Sequence, residues 1–217
     1  QWAVAEVWES DKIWTSVTFK PDDTIFETIE FSQTVEVARM KQSAYLTPGV
    51  IFNFINKKTW FKQRFYFEWG IKTWLKNLVW EQEPLSSQHY MLTDWKNCLT
   101  EVSFQFVGTN NDHLLSFVNN IPTTDGWSHV LWFKSALLNI INEVAKEKDK
   151  INKKIWEFQY TDVTDGLYAI VSVKIPEPQF EWQTKWRLGN SYVRNEVEKA
   201  VYEYLKDYFV NNEWEFD

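Results

Sequence analysis

The chain has 217 residues, 44% hydrophobic and 24% charged, with a formal net charge of −7. That length supports one large or two small domains with real cores, and the acidic balance argues against a surface that coats nucleic acid indiscriminately. A lone Cys98 excludes an intrachain disulfide, and no apolar run reaches the roughly 18 residues needed to span a bilayer.

In chain order, Thr15-Ser16-Val17-Thr18-Phe19 alternates as a strand, and Ser32 stands as N-cap for a helical stretch from Thr34 to Tyr45. Leu46-Thr47-Pro48-Gly49 breaks it. Val50 to Phe54 and Phe61 to Phe67 read as two strands of a hairpin, closed by the polar Lys57-Lys58-Thr59 and then by Trp60. Ile71 to Leu78 has helical spacing. Tyr90-Met91-Leu92 is strand-like, with a turn expected at Asp94-Trp95. Strands follow at 99–107, 113–118 and 167–175, the last a nearly continuous apolar run of the kind that sits inside a sheet. Phe133, Leu137, Ile140, Ile141 and Val144 recur at helical steps, as do Val193, Val197, Val201, Leu205 and Phe209, and Asn190 or Ser191 is placed to cap the second of these helices. These stripes are core faces. The order of elements predicts an α+β architecture in two pieces, with a break near Gly70.

Few residues outside these elements carry chemistry. His89, His113 and His129 have no metal-ligand spacing with one another or with Cys98, which reads as a half-buried strand residue in a reducing compartment. The Lys146 to Lys154 run reads as a solvated loop. No signal peptide opens the chain, so a cytoplasmic protein is expected, without a membrane partner. The start at Gln1, without Met, reads as a piece of a longer product.

The composition holds one anomaly: fourteen Trp against six Gly, where ordinary usage is about 7% Gly. Several Trps stand where turns call for Gly. A tight hairpin needs positive φ, and a non-Gly residue held there costs roughly 1–2 kcal/mol. Trp60, Trp95 and Trp127 are the cases in point.

The run from Gly166 through Val171-Ser172-Val173-Lys174-Ile175-Pro176 to Pro178-Gln179-Phe180-Glu181, then Gln183-Thr184-Lys185 and Leu188-Gly189-Asn190-Ser191, closely resembles the transducer domain of bacterial type IIA DNA topoisomerase ATPase subunits, namely DNA gyrase B and its topoisomerase IV counterpart. Phe117-Val118-Asn119-Asn120-Ile121, Asp125-Gly126-Trp127-Ser128-His129, Glu68-Trp69-Gly70-Ile71 and Lys12-Ile13-Trp14-Thr15 are similar to further segments of that family. The resemblance runs nearly end to end. It implies the C-terminal part of a GHKL ATPase domain over 1–70 and a ribosomal-S5-domain-2-like transducer over 71–217.

By that resemblance Lys185 meets the γ-phosphate of ATP and Gln183 assists, while Thr15 and Val17 belong to the adenine pocket. The ATP-binding helix, the catalytic Glu, the Asn that binds Mg²⁺ and the Gly-rich lid are implied to lie upstream of Gln1, so the piece alone is expected to be inactive. DNA, a topoisomerase A-type subunit and a second copy of the ATPase subunit are the implied partners. The family has Gly at Trp2, Trp8, Trp14, Trp60, Trp69, Trp95, Trp127, Trp132, Trp182 and Trp186. Restoring these gives sixteen Gly and four Trp, which leads to the expectation of a gene that encodes Gly with UGA. The competing expectation is a stand-alone aromatic-rich module whose Trps stack on sugars or unpaired bases.

Overall fold

The computed structural model describes residues 13–95, 98–123, 129–147, 157–180 and 189–212. Within them, residues 13–31 form no strand or helix. The alternation at 15–19 is therefore not realised as a strand: no described neighbour pairs with it, and Val17 and Phe19 are exposed. An extended segment without a ladder leaves its backbone to water. Phe19 does meet Phe31 edge-on, ring centroids 5.5 Å apart.

Helix α1 (Gln33–Leu46) starts after Ser32, whose carbonyl accepts from the Glu36 amide at 3.1 Å while its side chain caps nothing. Only its last turn, Ala44, Tyr45 and Leu46, is buried. A hairpin follows, β1 (Phe52–Asn56) against β2 (Phe61–Phe65), antiparallel with Phe52 opposite Phe65. The Asn56 carboxamide oxygen accepts from the Lys58 and Thr59 amides at 3.0 and 3.2 Å, tying the tip together. Helix α2 (Gly70–Leu78) then turns sharply under α1: Gly70 has φ +46, and a Cβ there would lie 3.0 Å from the Tyr45 carbonyl oxygen.

The main sheet contains β3 (His89–Trp95), β4 (Cys98–Phe106), β5 (His113–Val118), β6 (Ile121–Pro122) and β7 (Leu167–Lys174), in the order β3-β4-β7-β5-β6. The apolar run at 167–174 is a central strand, as its composition required, antiparallel to β4 and parallel to β5. The parallel pairing needs a crossover, which β6, α3 (His129–Glu147) and α4 (Tyr160–Thr164) supply. Gly166 opens β7 with φ +68; a Cβ would stand 2.1 Å from the Val107 carbonyl oxygen, so only Gly fits. Helix α5 (Ser191–Asn211) returns beside α3.

Two apolar layers sandwich the sheet. On one face Val102, Phe104, Val171 and Val173 pack with Phe133, Leu137 and Ile140 of α3 and Val193, Val197, Val201 and Leu205 of α5. On the other, Ile170, Phe117 and Val107 pack with Leu46 of α1 and Ile71, Leu75 and Val79 of the α2 region. Both helical stripes read from the sequence are thus core.

Three local expectations change. Asp94-Trp95 is not a turn: Trp95 is the last residue of β3, paired with Cys98, and the connection is residues 96–97. Strand pairing absorbs Trp95 because its ring stays half-exposed beneath the Lys199 ammonium, 5.2 Å away. Cys98 is fully buried and not half-buried, since its side chain faces the α3–α5 layer. Lys146 belongs to the last turn of α3 and pairs with Glu157, while 148–154 lie outside the described residues.

Candidate functional site

Strand β7 leads toward the segment that carries Gln183 and Lys185, and the residues on either side of that segment are described. At the exit of β7, the Asn119 carboxamide works as a surrogate strand. Its Nδ2 donates to the Ile175 carbonyl at 2.8 Å, and its Oδ1 accepts from the Ile175 amide at 2.9 Å. The Asn119 amide also donates to the Val173 carbonyl at 2.9 Å. This requires Asn119 and Asn120 to take φ of 48° and 65°, a region Asn enters more readily than other non-Gly residues.

The two ends of the segment are then brought together by Asn190. Its Oδ1 accepts from the Gln179 amide at 2.7 Å and its Nδ2 donates to the Glu177 carbonyl at 3.2 Å, while the Gly189 amide donates to the Gln179 carbonyl at 2.6 Å. Asn190 occupies the N-cap of α5, as the sequence suggested, but makes no side-chain cap bond to that helix. Its carboxamide is committed to closing the stem. It is 7% exposed, so both bonds are shielded from competing water.

Gln183 and Lys185 themselves, in 181–188, lie outside the described residues. Thr15 and Val17 are in the irregular, exposed segment before α1. Among the described residues no hydrogen bond, ion pair or ring contact joins Thr15 or Val17 to the stem, so the described part does not assemble the four as one site.

A buried polar group on the opposite side of β7 escaped the sequence reading. The Lys174 ammonium donates to the Leu46 carbonyl at the end of α1, at 3.1 Å. Glu101, 5% exposed on β4, accepts from the Tyr90 hydroxyl at 3.1 Å. Burial holds the Glu101 carboxyl above the usual carboxylate range, against the opposing pull of the Tyr90 bond and the Lys174 charge. Burial first, then the Glu101 charge, pushes Tyr90 up to about 12. The signal in the sequence was slight: Glu101 and Lys174 are the charged residues of two strands otherwise built from apolar and neutral polar side chains. The Lys174 bond ties β7 to the end of helix α1. Asn120 adds a second tie, its Nδ2 donating to the Thr47 hydroxyl at 3.2 Å.

The described residues hold no group of three or more His, Cys, Asp or Glu that could hold a metal ion, and no described helix is long and apolar enough to cross a membrane. No role for Mg²⁺ is assigned to this chain's described side chains.

Five of the ten Trp positions read as Gly sites are described. Trp60 has φ 58°, the left-handed value that Gly alone adopts without cost. Trp69 has φ −100°, the positive φ of that turn falling on Gly70. Trp14 and Trp95 have no positive φ, and Trp132 lies in α3 against the core. Trp60 at a hairpin tip, Trp74 in α2, Trp95 at a strand end and Trp132 in a helix belong to separate elements. They do not line one strand face, as a stacking platform would require.

A five-stranded mixed sheet between two helical layers, entered from two helices and a hairpin, matches about half of the solved ATPase domains of gyrase B proteins. The 43K ATPase domain of Thermus thermophilus gyrase B, solved with an aminocoumarin, matches with a TM-score of 0.77 at 31% identity, over 91% of this chain and 54% of that one. The B subunit of DNA gyrase from Campylobacter jejuni is 39% identical over 204 residues, 94% of this chain and 26% of that protein. The B subunit of DNA topoisomerase 4 from Mycoplasma capricolum is 34% identical over 203 residues, 93% and 31% of the two. The chain thus spans about a quarter to a third of these curated relatives. The DNA gyrase B family matches residues 70–217. The chain belongs to the DNA gyrase B family.

Proposed function

We propose that this chain works as the end of an ATP-binding domain and the adjoining transducer of a type II DNA topoisomerase subunit, with the break near Gly70. Within the longer protein it couples ATP binding and hydrolysis to the passage of one DNA segment through another. DNA, a topoisomerase A-type subunit and a second ATPase subunit are its partners. The parts of the relatives that this chain does not span supply the rest of the nucleotide site, including the Mg²⁺ ligand, so the chain alone does not hydrolyse ATP.

Lys185 is the residue that reads the nucleotide. An ammonium on a flexible stem neutralises charge developing on the transferred phosphoryl group, and it does so only while the γ-phosphate is present. Gln183 donates beside it, and Thr15 and Val17 contribute to the adenine pocket. The observation that carries this reading is the closed stem. Asn190 holds Glu177 and Gln179 against the start of α5, so the residues on either side of the segment bearing Lys185 are fixed near the end of a central strand. Proximity of this kind lowers the cost of placing a charge.

The test is Lys185→Ala in the longer protein, assayed for ATPase turnover. Turnover falls at least tenfold while thermal unfolding is unchanged; wild-type turnover removes Lys185 from the mechanism. We further propose that Trp60 stands at a position encoded as Gly, for which its left-handed φ is the structural support.

A further inference from the structure

The β1–β2 hairpin has two unlike faces. Phe52, Phe54, Phe61 and Phe65 are half-buried or buried on one side, and Phe54 and Phe61 approach to 6.3 Å between ring centroids. The pairs Asn53–Arg64 and Ile55–Lys62 form the other side, and all four residues are exposed. Lys57 and Lys58 extend the same charge to the tip. Residues 50–67 hold these four cations and no carboxylate, in a chain whose net charge is −7. Only Lys58 has an ion-pair partner among the described residues, Glu30 at 3.1 Å, and both of those groups are about four-fifths exposed. Such a pair is easily exchanged.

Charges on a short hairpin also guard its edges against pairing with other chains. Lys is the commonest charge in that role, and it acts there singly, without a cluster of one sign. Clustering one sign on a solvent face, against the balance of the chain, adds self-repulsion that an anionic partner would relieve. Lys62 and Arg64 are two residues apart on one face, about 6.6–6.8 Å along the strand. Each strand of B-DNA carries one phosphate per roughly 3.4 Å of helix axis, so cations at that separation reach different phosphates of one backbone. Exposed rings flank this face, Trp60 at the tip and Tyr66 beyond Arg64, while the cross-strand pairs between them contain none, so the surface around Lys62 and Arg64 is aliphatic, polar and cationic.

We propose that the outward face of the β1–β2 hairpin, through Lys57, Lys58, Lys62 and Arg64, binds the phosphate backbone of duplex DNA. The inference rests on the topoisomerase reading above and adds a surface to it. It requires no base contact, so binding is independent of sequence.

The experiment is fluorescence-anisotropy titration of a labelled 30-base-pair duplex with the longer protein, repeated over several salt concentrations. In one variant all four cations are replaced by Gln; in a second, Lys57, Lys58 and Lys62 are replaced by Arg. Each phosphate contact contributes about 0.9 to the slope of log affinity against log salt. The Gln variant should lose roughly 2–4 from that slope and bind at least about tenfold more weakly at 0.1 M salt. The Arg variant should keep the wild-type slope. A benzophenone carried by Lys62→Cys should crosslink to the duplex, whereas one carried by Glu203→Cys on α5 should not, a readout that does not depend on the Gln variant folding. An unchanged slope with no crosslink, or a loss confined to single-stranded DNA, overturns the hairpin surface and leaves the topoisomerase reading standing. A wild-type protein with no affinity for duplex overturns both.

Discussion

Trp60 carries a backbone conformation that its side chain resists, and that strain can be isolated. Replacing it by Ala or by Gly removes the same indole, which is 73% exposed at the hairpin tip. The two variants then differ only by a Cβ held at φ 58°. The Cβ costs roughly 1–2 kcal/mol in the folded state. The greater freedom of unfolded Gly offsets about 0.4–1 kcal/mol of that. Trp60→Gly should therefore be more stable than Trp60→Ala by about 0.8 kcal/mol at mid-range and ~1.6 kcal/mol at most, a mid-range difference of ~0.4 M in urea midpoint for a slope near 2 kcal/mol/M. An Ala variant as stable as the Gly variant would refute the assignment of strain to this backbone. Peptide mass spectrometry of the natural protein, read beside the gene sequence, settles the residue: Gly at position 60 from a UGA codon establishes the decoding there, and Trp ends it.

Other expectations follow from the buried polar groups. Glu101 has a raised folded-state pKa, so between its unfolded and folded values the native state binds the extra proton. Stability is full below the unfolded value and is lost as pH rises from there through the raised folded value. Glu101→Gln should remove that fall, seen as a flatter pH profile of the urea midpoint; an unchanged profile contradicts the burial argument. Asn190→Ala deletes two shielded bonds of the stem and should destabilise by about 2 kcal/mol, with faster hydrogen exchange at the Gln179 amide.

Periodicity made the cores legible. The helical steps from Phe133 to Val144 and from Val193 to Leu205, and the apolar run at 167–173, became the α3–α5 layer and the central strand. Alternation alone failed at 15–19, because a strand also needs a partner and none of the described residues provides one. Turn chemistry failed at Asp94-Trp95, where a two-residue connection after Trp95 lets the ladder run on to Cys98. The stem was half legible. Asn190 was placed correctly as an N-cap, but its bonds run backward to Glu177 and Gln179, partners fixed by tertiary structure. The same holds for Lys174: its acceptor, the Leu46 carbonyl, lies 128 residues away in the chain. The functional roles of Gln183, Lys185, Thr15 and Val17 came from family resemblance and not from spacing.

The most direct measurement is the position of residue 185 in a crystal structure of the longer protein in complex with a non-hydrolysable ATP analogue. The Lys185 ammonium should lie about 2.7–3.0 Å from a γ-phosphate oxygen, with the Asn190 stem intact beneath it. An ammonium directed into solvent, with the γ-phosphate neutralised by other groups, would contradict the account.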